Sequence, residues 1–125
     1  MFRIILIIGA GGFLGTIARY LSVQFVHKTF LTSFPLGTLL VNLAGCFLIG
    51  IFYGLVERGN LLSNELRMFL TVGFCGGFTT FSTFTVDSLA LVRDGEFLYV
   101  MFYAAISIFI GFFFTFLGNL LTKIY

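Results

Sequence analysis

Residues 73–85 read Gly-Phe-Cys-Gly-Gly-Phe-Thr-Thr-Phe-Ser-Thr-Phe-Thr, so three glycines and five hydroxyl side chains interrupt an apolar stretch. Glycine weakens a helix, and hydroxyl side chains compete with the backbone for hydrogen bonds. Residues 76–79 lie 9 to 12 positions beyond Arg67, which places them about 14 to 18 Å along a membrane helix, near the bilayer midplane. Unpaired backbone at that depth occurs only where it is buried in protein or lines a cavity. We therefore predict a helix broken near the midplane. The alternative is a kinked helix in which the hydroxyl side chains that follow the glycines bond to the carbonyls of the preceding turn.

This stretch (68–92) is one of four apolar stretches of similar length; the others are residues 4–25, 35–56 and 97–122. A helix needs about 20 residues to cross about 30 Å of hydrocarbon, and lipid offers no partner for open backbone groups. The chain is 59% hydrophobic and 10% charged, whereas soluble domains carry about 25% charged residues. We predict an all-α, multi-pass membrane protein with a single four-helix transmembrane domain over residues 1–125. No small-residue cleavage site follows the first stretch, so we expect it to be retained.

The basic residues divide almost evenly between the two sides of the membrane. With both chain ends on one side, four basic residues lie there and three lie opposite: Arg3, Arg58, Arg67 and Lys123 against Arg19, Lys28 and Arg93. Orientation follows such an asymmetry, and this one is too small to decide it. An antiparallel, dual-topology homodimer is therefore possible. The net charge of +2 is too small to indicate a nucleic-acid partner.

Small and polar residues also mark the first two stretches. Gly11 and Gly15 are four positions apart, as are Gly50 and Gly54, a spacing typical of closely packed membrane helices. Asn42 lies about 10 Å into the second stretch, where an amide must either bond to another helix or line a polar cavity. The sequence leaves both possibilities open.

Three aromatic residues, Phe78, Phe81 and Phe84, alternate with the hydroxyls of residues 79–85. The edge of an aromatic ring is positive and could contact a small anion, whereas a cation would prefer the ring face. Cys46 and Cys75 lie inside apolar spans without metal-type spacing, so we interpret them as small packing residues.

Together, three motifs resemble the bacterial fluoride channel family (Fluc, also called CrcB). They are residues 11–15, Gly-Gly-Phe-Leu-Gly, followed by Arg19-Tyr20; residues 37–42, Gly-Thr-Leu-Leu-Val-Asn, followed by Gly45-Cys46; and residues 73–84. They span three of the four helices in family order, and the third motif is highly specific. The fourth helix is similar only in length and hydrophobicity.

The resemblance implies a fluoride-selective channel of the inner (plasma) membrane that passively exports F⁻ from the cytoplasm and relieves fluoride toxicity. It implies an antiparallel dimer with two pores, and backbone carbonyls of Gly76 and Thr79 in each subunit that hold one central structural Na⁺. It also implies a fluoride pathway built from an amide, two phenylalanine ring edges and candidate hydroxyls, namely Asn42, Phe81, Phe84, Ser82, Thr83, Ser107 and Thr115. Family members often carry a hydroxyl where this chain has Gly111, which leaves part of that track without a donor.

Two charged residues have open roles. Arg19 lies 16 positions beyond Arg3, about 24 Å along the helix. There it could extend its charge to the membrane surface or draw anions into a vestibule, as the family motif favours. Asp87 lies towards the same side, and we hypothesise that it pairs with Arg19.

Two other classes of protein compete with a channel. A small multidrug-type exporter needs a carboxylate within the membrane, but the first helix has none and the second has none before Glu57. A non-transporting assembly subunit is compatible with the glycine spacing and leaves the polar segment of the third helix unexplained. An enzyme is the least supported, since no cluster of His, Cys and carboxylate residues indicates chemistry, and we predict that the chain is not one.

Overall fold

The computed structural model describes residues 1–59 and 61–124, which form four membrane-length helical spans. The first two are α1 (Phe2–Thr29) and α2 (Leu36–Glu57). The third span (Asn64–Arg93) is divided into α3 (residues 64–78) and α4 (Ser82–Arg93), and the fourth is α5 (Phe97–Ile124). All four spans are long and apolar enough to cross a bilayer. The predicted all-α architecture is confirmed.

The third span is broken, as predicted, but the break follows the glycine pair instead of including it. Gly76 keeps helical dihedral angles of φ −61° and ψ −38°, and the backbone becomes extended only at Thr79, with φ −90° and ψ 157°. Helix resumes at Ser82. The break therefore comprises residues 79–81, at the C-terminal end of the predicted stretch 76–79.

Gly73 and Gly77 of α3 stay helical because they pack against α1. A methyl group on Gly11 would lie 2.5 Å from the Phe69 carbonyl oxygen, and one on Gly77 would lie 2.6 Å from the Gly12 carbonyl oxygen. A methyl group on Gly15 would overlap the Phe74 carbonyl. Contact at this distance is possible only without side chains, which explains the spacing in both helices.

The same principle joins α2 to α5. Methyl groups on Gly50 and Gly54 would overlap Thr115 and Thr122, and one on Gly118 would overlap the Phe47 carbonyl. Two glycine-based interfaces, α1 with α3 and α2 with α5, therefore hold the bundle together. The break in the third span lies between them, where α2 meets residues 79–80.

Two segments of the bundle have π-helical hydrogen bonding, Phe69–Cys75 in α3 and Ile106–Ile110 in α5. Such segments shift the register of a helix and often occur at functional sites. Between α2, α4 and α5 lies a buried hydrophobic cluster formed by Leu39, Leu43, Leu91 and a fully buried Tyr103.

Candidate functional site

A cavity of about 460 Å³ opens beside the break. Its wall is formed by α2, α3, the break, the start of α4 and the π-helical segment of α5. Of the ten residues assigned above to the fluoride pathway, the vestibule or the sodium site, six line it, namely Asn42, Gly76, Thr79, Phe81, Phe84 and Ser107. The remaining four, Arg19, Ser82, Thr83 and Thr115, are not among the lining residues.

Asn42 holds the broken backbone in place. Its Nδ2 donates to the Thr80 carbonyl oxygen at 2.9 Å, and its Oδ1 accepts from the Thr80 N–H at 2.8 Å. A side-chain amide thus replaces the helical partners that Thr80 has lost. Because Nδ2 carries two hydrogens, one remains for another acceptor in the cavity. Asn42 therefore bonds to another span and also lines the cavity, so the two possibilities left open by the sequence are both realised.

Thr80 was not singled out from the sequence, yet it organises the start of α4. Its Oγ1 accepts from the Thr83 N–H at 3.2 Å and donates to Thr83 Oγ1 at 3.1 Å. Ser82 Oγ lies 3.4 Å away. The hydroxyls of Ser82 and Thr83 therefore form a cluster with Thr80 at the cavity edge. A threonine two positions before the first residue of a helix is the available signal, since such a hydroxyl can accept from an N–H of the first turn.

Arg19 bonds to the C-terminal end of α3, just before the break. Its Nε donates to the Gly77 carbonyl oxygen at 3.0 Å, and so supplies a partner for one of the carbonyls that the end of α3 leaves open. Arg19 reaches this carbonyl because Gly12 and Gly77 allow α1 and α3 to approach closely.

The hypothesised pair between Arg19 and Asp87 is wrong. Tyr103 donates through its hydroxyl to Asp87 Oδ2 at 3.1 Å, and the one ion pair within residues 1–59 and 61–124 joins Arg3 to Glu65. Arg19 on α1 bonds to the end of α3, whereas Asp87 on α4 bonds to α5. Position along the membrane normal, which the sequence provides, does not determine which helix a side chain contacts.

The α5 side of the cavity carries a free donor at Ser107. Its Oγ is buried and has no hydrogen-bond partner in the described part of the chain. A buried hydroxyl without a partner is uncommon and calls for a ligand or water. Thr115, by contrast, lies at the interface with α2 and donates to the Cys46 carbonyl oxygen at 3.0 Å. At Gly111 a methyl group would lie 3.4 Å from Cys46 Sγ, so the cysteine sulfur packs over this position.

The two phenylalanines predicted to contact the ion are adjacent but held differently. Their ring centroids are 5.7 Å apart. Phe84 packs against the buried Tyr103 with a centroid distance of 4.7 Å, whereas Phe81 is 76% exposed at the cavity edge. Phe84 is therefore fixed by the core of the bundle, and Phe81 presents a free ring beside the opening.

The break also brings together two helix ends of opposite polarity. The C-terminus of α3 is partially negative and the N-terminus of α4 is partially positive. Among the carbonyls at the break, those of Gly77 and Thr80 accept from Arg19 and Asn42. Within the described residues no donor bonds to the carbonyls of Gly76 and Thr79. Gly76 is exposed, with open space above its Cα, so these two carbonyls suit a cation bound at the surface of the chain.

Residues 6–119 match the family described as CrcB-like protein, Camphor Resistance (CrcB). The chain belongs to this family. A protein named fluoride-specific ion channel FluC from Prosthecochloris aestuarii is 45% identical over 124 residues, which cover 99% of this chain and 96% of the relative. Proteins of the same name from Chlorobaculum tepidum and Bacteroides fragilis are 49% and 51% identical, and cover 97% and 86% of this CrcB chain and 95% and 86% of their own length. The resemblance drawn from the motifs is confirmed, and this CrcB protein crosses the membrane several times.

Proposed function

We propose that this CrcB protein is a fluoride-selective channel through which F⁻ leaves the cytoplasm passively. One observation supports the proposal above others. At the break in the third span, a cavity is lined by uncharged hydrogen-bond donors, Asn42 and Ser107, and by two phenylalanine rings. The names of the relatives, all fluoride-specific ion channels, point to the same ion.

The donor set suits a small, strongly hydrated anion. A pore must replace the water around such an ion with its own donors and still release it. The second hydrogen of Asn42 Nδ2, the unpartnered hydroxyl of Ser107 and the ring edges of Phe81 and Phe84 supply donors without a full positive charge. No lysine, arginine or histidine lines this cavity within the described residues, so the ion would not be held too tightly to move on.

A second, oppositely oriented copy of the chain would complete the passage. Phe81 is largely exposed and Gly76 opens onto the same cavity edge, so one chain leaves this wall incomplete. The nearly even division of basic residues allows both orientations. An antiparallel dimer would contain two such cavities and hence two pores.

A sodium ion on the dimer axis is compatible with these residues. The carbonyls of Gly76 and Thr79 from both subunits would provide four oxygen ligands. Within the described residues neither carbonyl accepts a hydrogen bond, and both lie beside the partially negative end of α3. When bound, such a cation adds positive potential next to the anion pathways and links the two subunits.

Passive export follows from the acid chemistry of fluoride. Hydrogen fluoride is a weak acid that enters cells as a neutral molecule and dissociates inside, so a channel allows the trapped anion to leave down its gradient. The residues that line this cavity include no carboxylate in the described ranges, which argues against a proton-coupled multidrug exporter. The relatives are channels and not enzymes by name, in agreement with the prediction that the chain performs no catalysis.

The proposal is tested by halide efflux from liposomes that contain the purified protein. Fluoride should leave rapidly while chloride, loaded into the same vesicles, is retained. Liposomes without protein control for leakage. Equal efflux of both halides, or retention of both, would reject the function. Purification in a large organic cation instead of sodium should reduce the fraction of dimer, which tests the cation site separately.

A further inference from the structure

The chain contains two thiols, and both lie on the wall of the cavity. Cys46 is on α2 and Cys75 is on α3, and both are free. The proposed fluoride pathway uses neither. Cys46 is half-buried and Cys75 is 3% exposed.

The packing of α2 against the third span brings the two thiols to the same level. Asn42 bonds to Thr80, and Gly45 packs against the side chain of Thr79, so the two spans run antiparallel here. Cys46 is one turn beyond Asn42, and Cys75 is one turn before Thr79, whose hydroxyl donates to the Cys75 carbonyl oxygen at 2.9 Å. Residues four apart share a helix face. The two cysteines therefore lie at the same level on facing spans of one cavity, one turn from Asn42 and from Thr79.

We propose that Cys46 and Cys75 form a two-thiolate site for a soft, thiophilic metal ion such as Hg²⁺, and that an ion bound there blocks the fluoride passage. Thiolates select soft ions, and Hg²⁺ needs only two ligands in a linear arrangement. Binding forms two Hg–S bonds, breaks two S–H bonds and releases two protons, with no electron transferred. Binding of the ion does not depend on the proposed channel function, whereas the block of fluoride passage rests on it.

The remaining lining residues set the selectivity of this site. No histidine or carboxylate lines the cavity, and no group of three or more potential metal ligands exists, within residues 1–59 and 61–124. Zinc usually takes four ligands, so it should not compete with Hg²⁺. The two thiols differ in exposure, so a bulky maleimide should modify Cys46 faster than Cys75. A bare metal ion should reach both, which distinguishes metal binding from alkylation.

The binding test is the mass of the intact protein after Hg²⁺ addition and removal of loosely bound metal with excess glutathione. The wild-type chain should retain one ion and have both thiols protected from maleimide. Cys46→Ser and Cys75→Ser, each with a single thiol, should lose the ion in the glutathione wash. Retention of two ions per chain, or equal retention by the single variants, would overturn a shared site.

The transport test uses the same preparations in liposomes. Hg²⁺ should stop fluoride efflux by the wild type, a dithiol should restore it, and each single variant should need at least tenfold more Hg²⁺. Zinc should have no effect. A retained, bridging ion with undiminished fluoride efflux would overturn the block and leave the channel function intact. If the wild-type protein passes no fluoride even without metal, the channel function fails and the mass measurement still decides the site.

Discussion

Asn42→Ala removes the side chain that replaces helical hydrogen bonding at Thr80. Two bonds are lost, of 2.9 and 2.8 Å, and the N–H and C=O of Thr80 remain without their partner. Hydrogen bonds between membrane helices contribute about 0.6 kcal/mol on average and up to about 1.7 kcal/mol each. Since the site is only partly buried, water can replace some of the loss, and we expect destabilisation of about 1–3 kcal/mol.

The same substitution should also slow transport. It removes a proposed donor and loosens residues 79–81, and a rise of about 1.4 kcal/mol in the barrier lowers a rate about tenfold. We expect at least that loss in fluoride efflux per reconstituted protein, measured beside thermal unfolding in detergent. Thr115→Val is the matched control, because it removes one bond of 3.0 Å made by a side chain that does not line the cavity. It should cost some stability and leave efflux unchanged. An Asn42→Ala protein with wild-type stability, or with wild-type efflux, would refute the reasoning.

Three further substitutions test other parts of the account. Phe81→Ile should greatly reduce fluoride efflux because it removes a ring edge at the cavity. The control Phe112→Ile should not, because Phe112 is equally exposed at 76% but does not line the cavity. Similar efflux by both variants would contradict the role of the ring. Gly15→Ala should destabilise the protein by about 1–3 kcal/mol, because the added methyl group overlaps a backbone carbonyl of α3. Gly9 has open space around it, so the control Gly9→Ala should unfold at the wild-type temperature. Equal unfolding temperatures for the two variants would count against close packing of α1 with α3. Arg19→Gln should lose about 1.5–3 kcal/mol from a charged hydrogen bond to the end of α3 and reduce efflux, whereas unchanged stability would show that Arg19 does not hold the break.

Much of the architecture follows from local sequence. Span length and hydrophobicity identify four helices, and the polar residues after Phe78 predict a break, because lipid forces every backbone group to find a partner. The exact position of the break depends on contacts distant in sequence. Gly77 keeps its helical conformation by packing on Gly12, and Thr80 leaves the helix because Asn42, 38 positions earlier, binds its backbone. Helix propensity alone does not predict that Gly77 stays helical while Thr80 leaves the helix.

The site was predicted less completely, for a similar reason. Residues that carry a recognisable motif, such as Asn42 and Phe84, are found at the cavity. The sequence does not distinguish Tyr103 from the other aromatic residues, because its bond to Asp87 depends on how α4 and α5 face each other. Thr115 shares a helix face with Ser107 but bonds to α2, because the Thr115 backbone packs closely on Gly50 of α2. Periodicity defines faces of a helix and does not identify the neighbours of each face.

The reversal potential of the current through the reconstituted protein tests the central claim most directly. The account requires that the donor-lined break conducts fluoride and excludes chloride. With different fluoride concentrations on the two sides of a planar bilayer, the current should reverse at the equilibrium potential of fluoride. It should not shift when a chloride gradient of either direction is added. Reversal at a potential that follows chloride, or the absence of any fluoride current, would contradict the account.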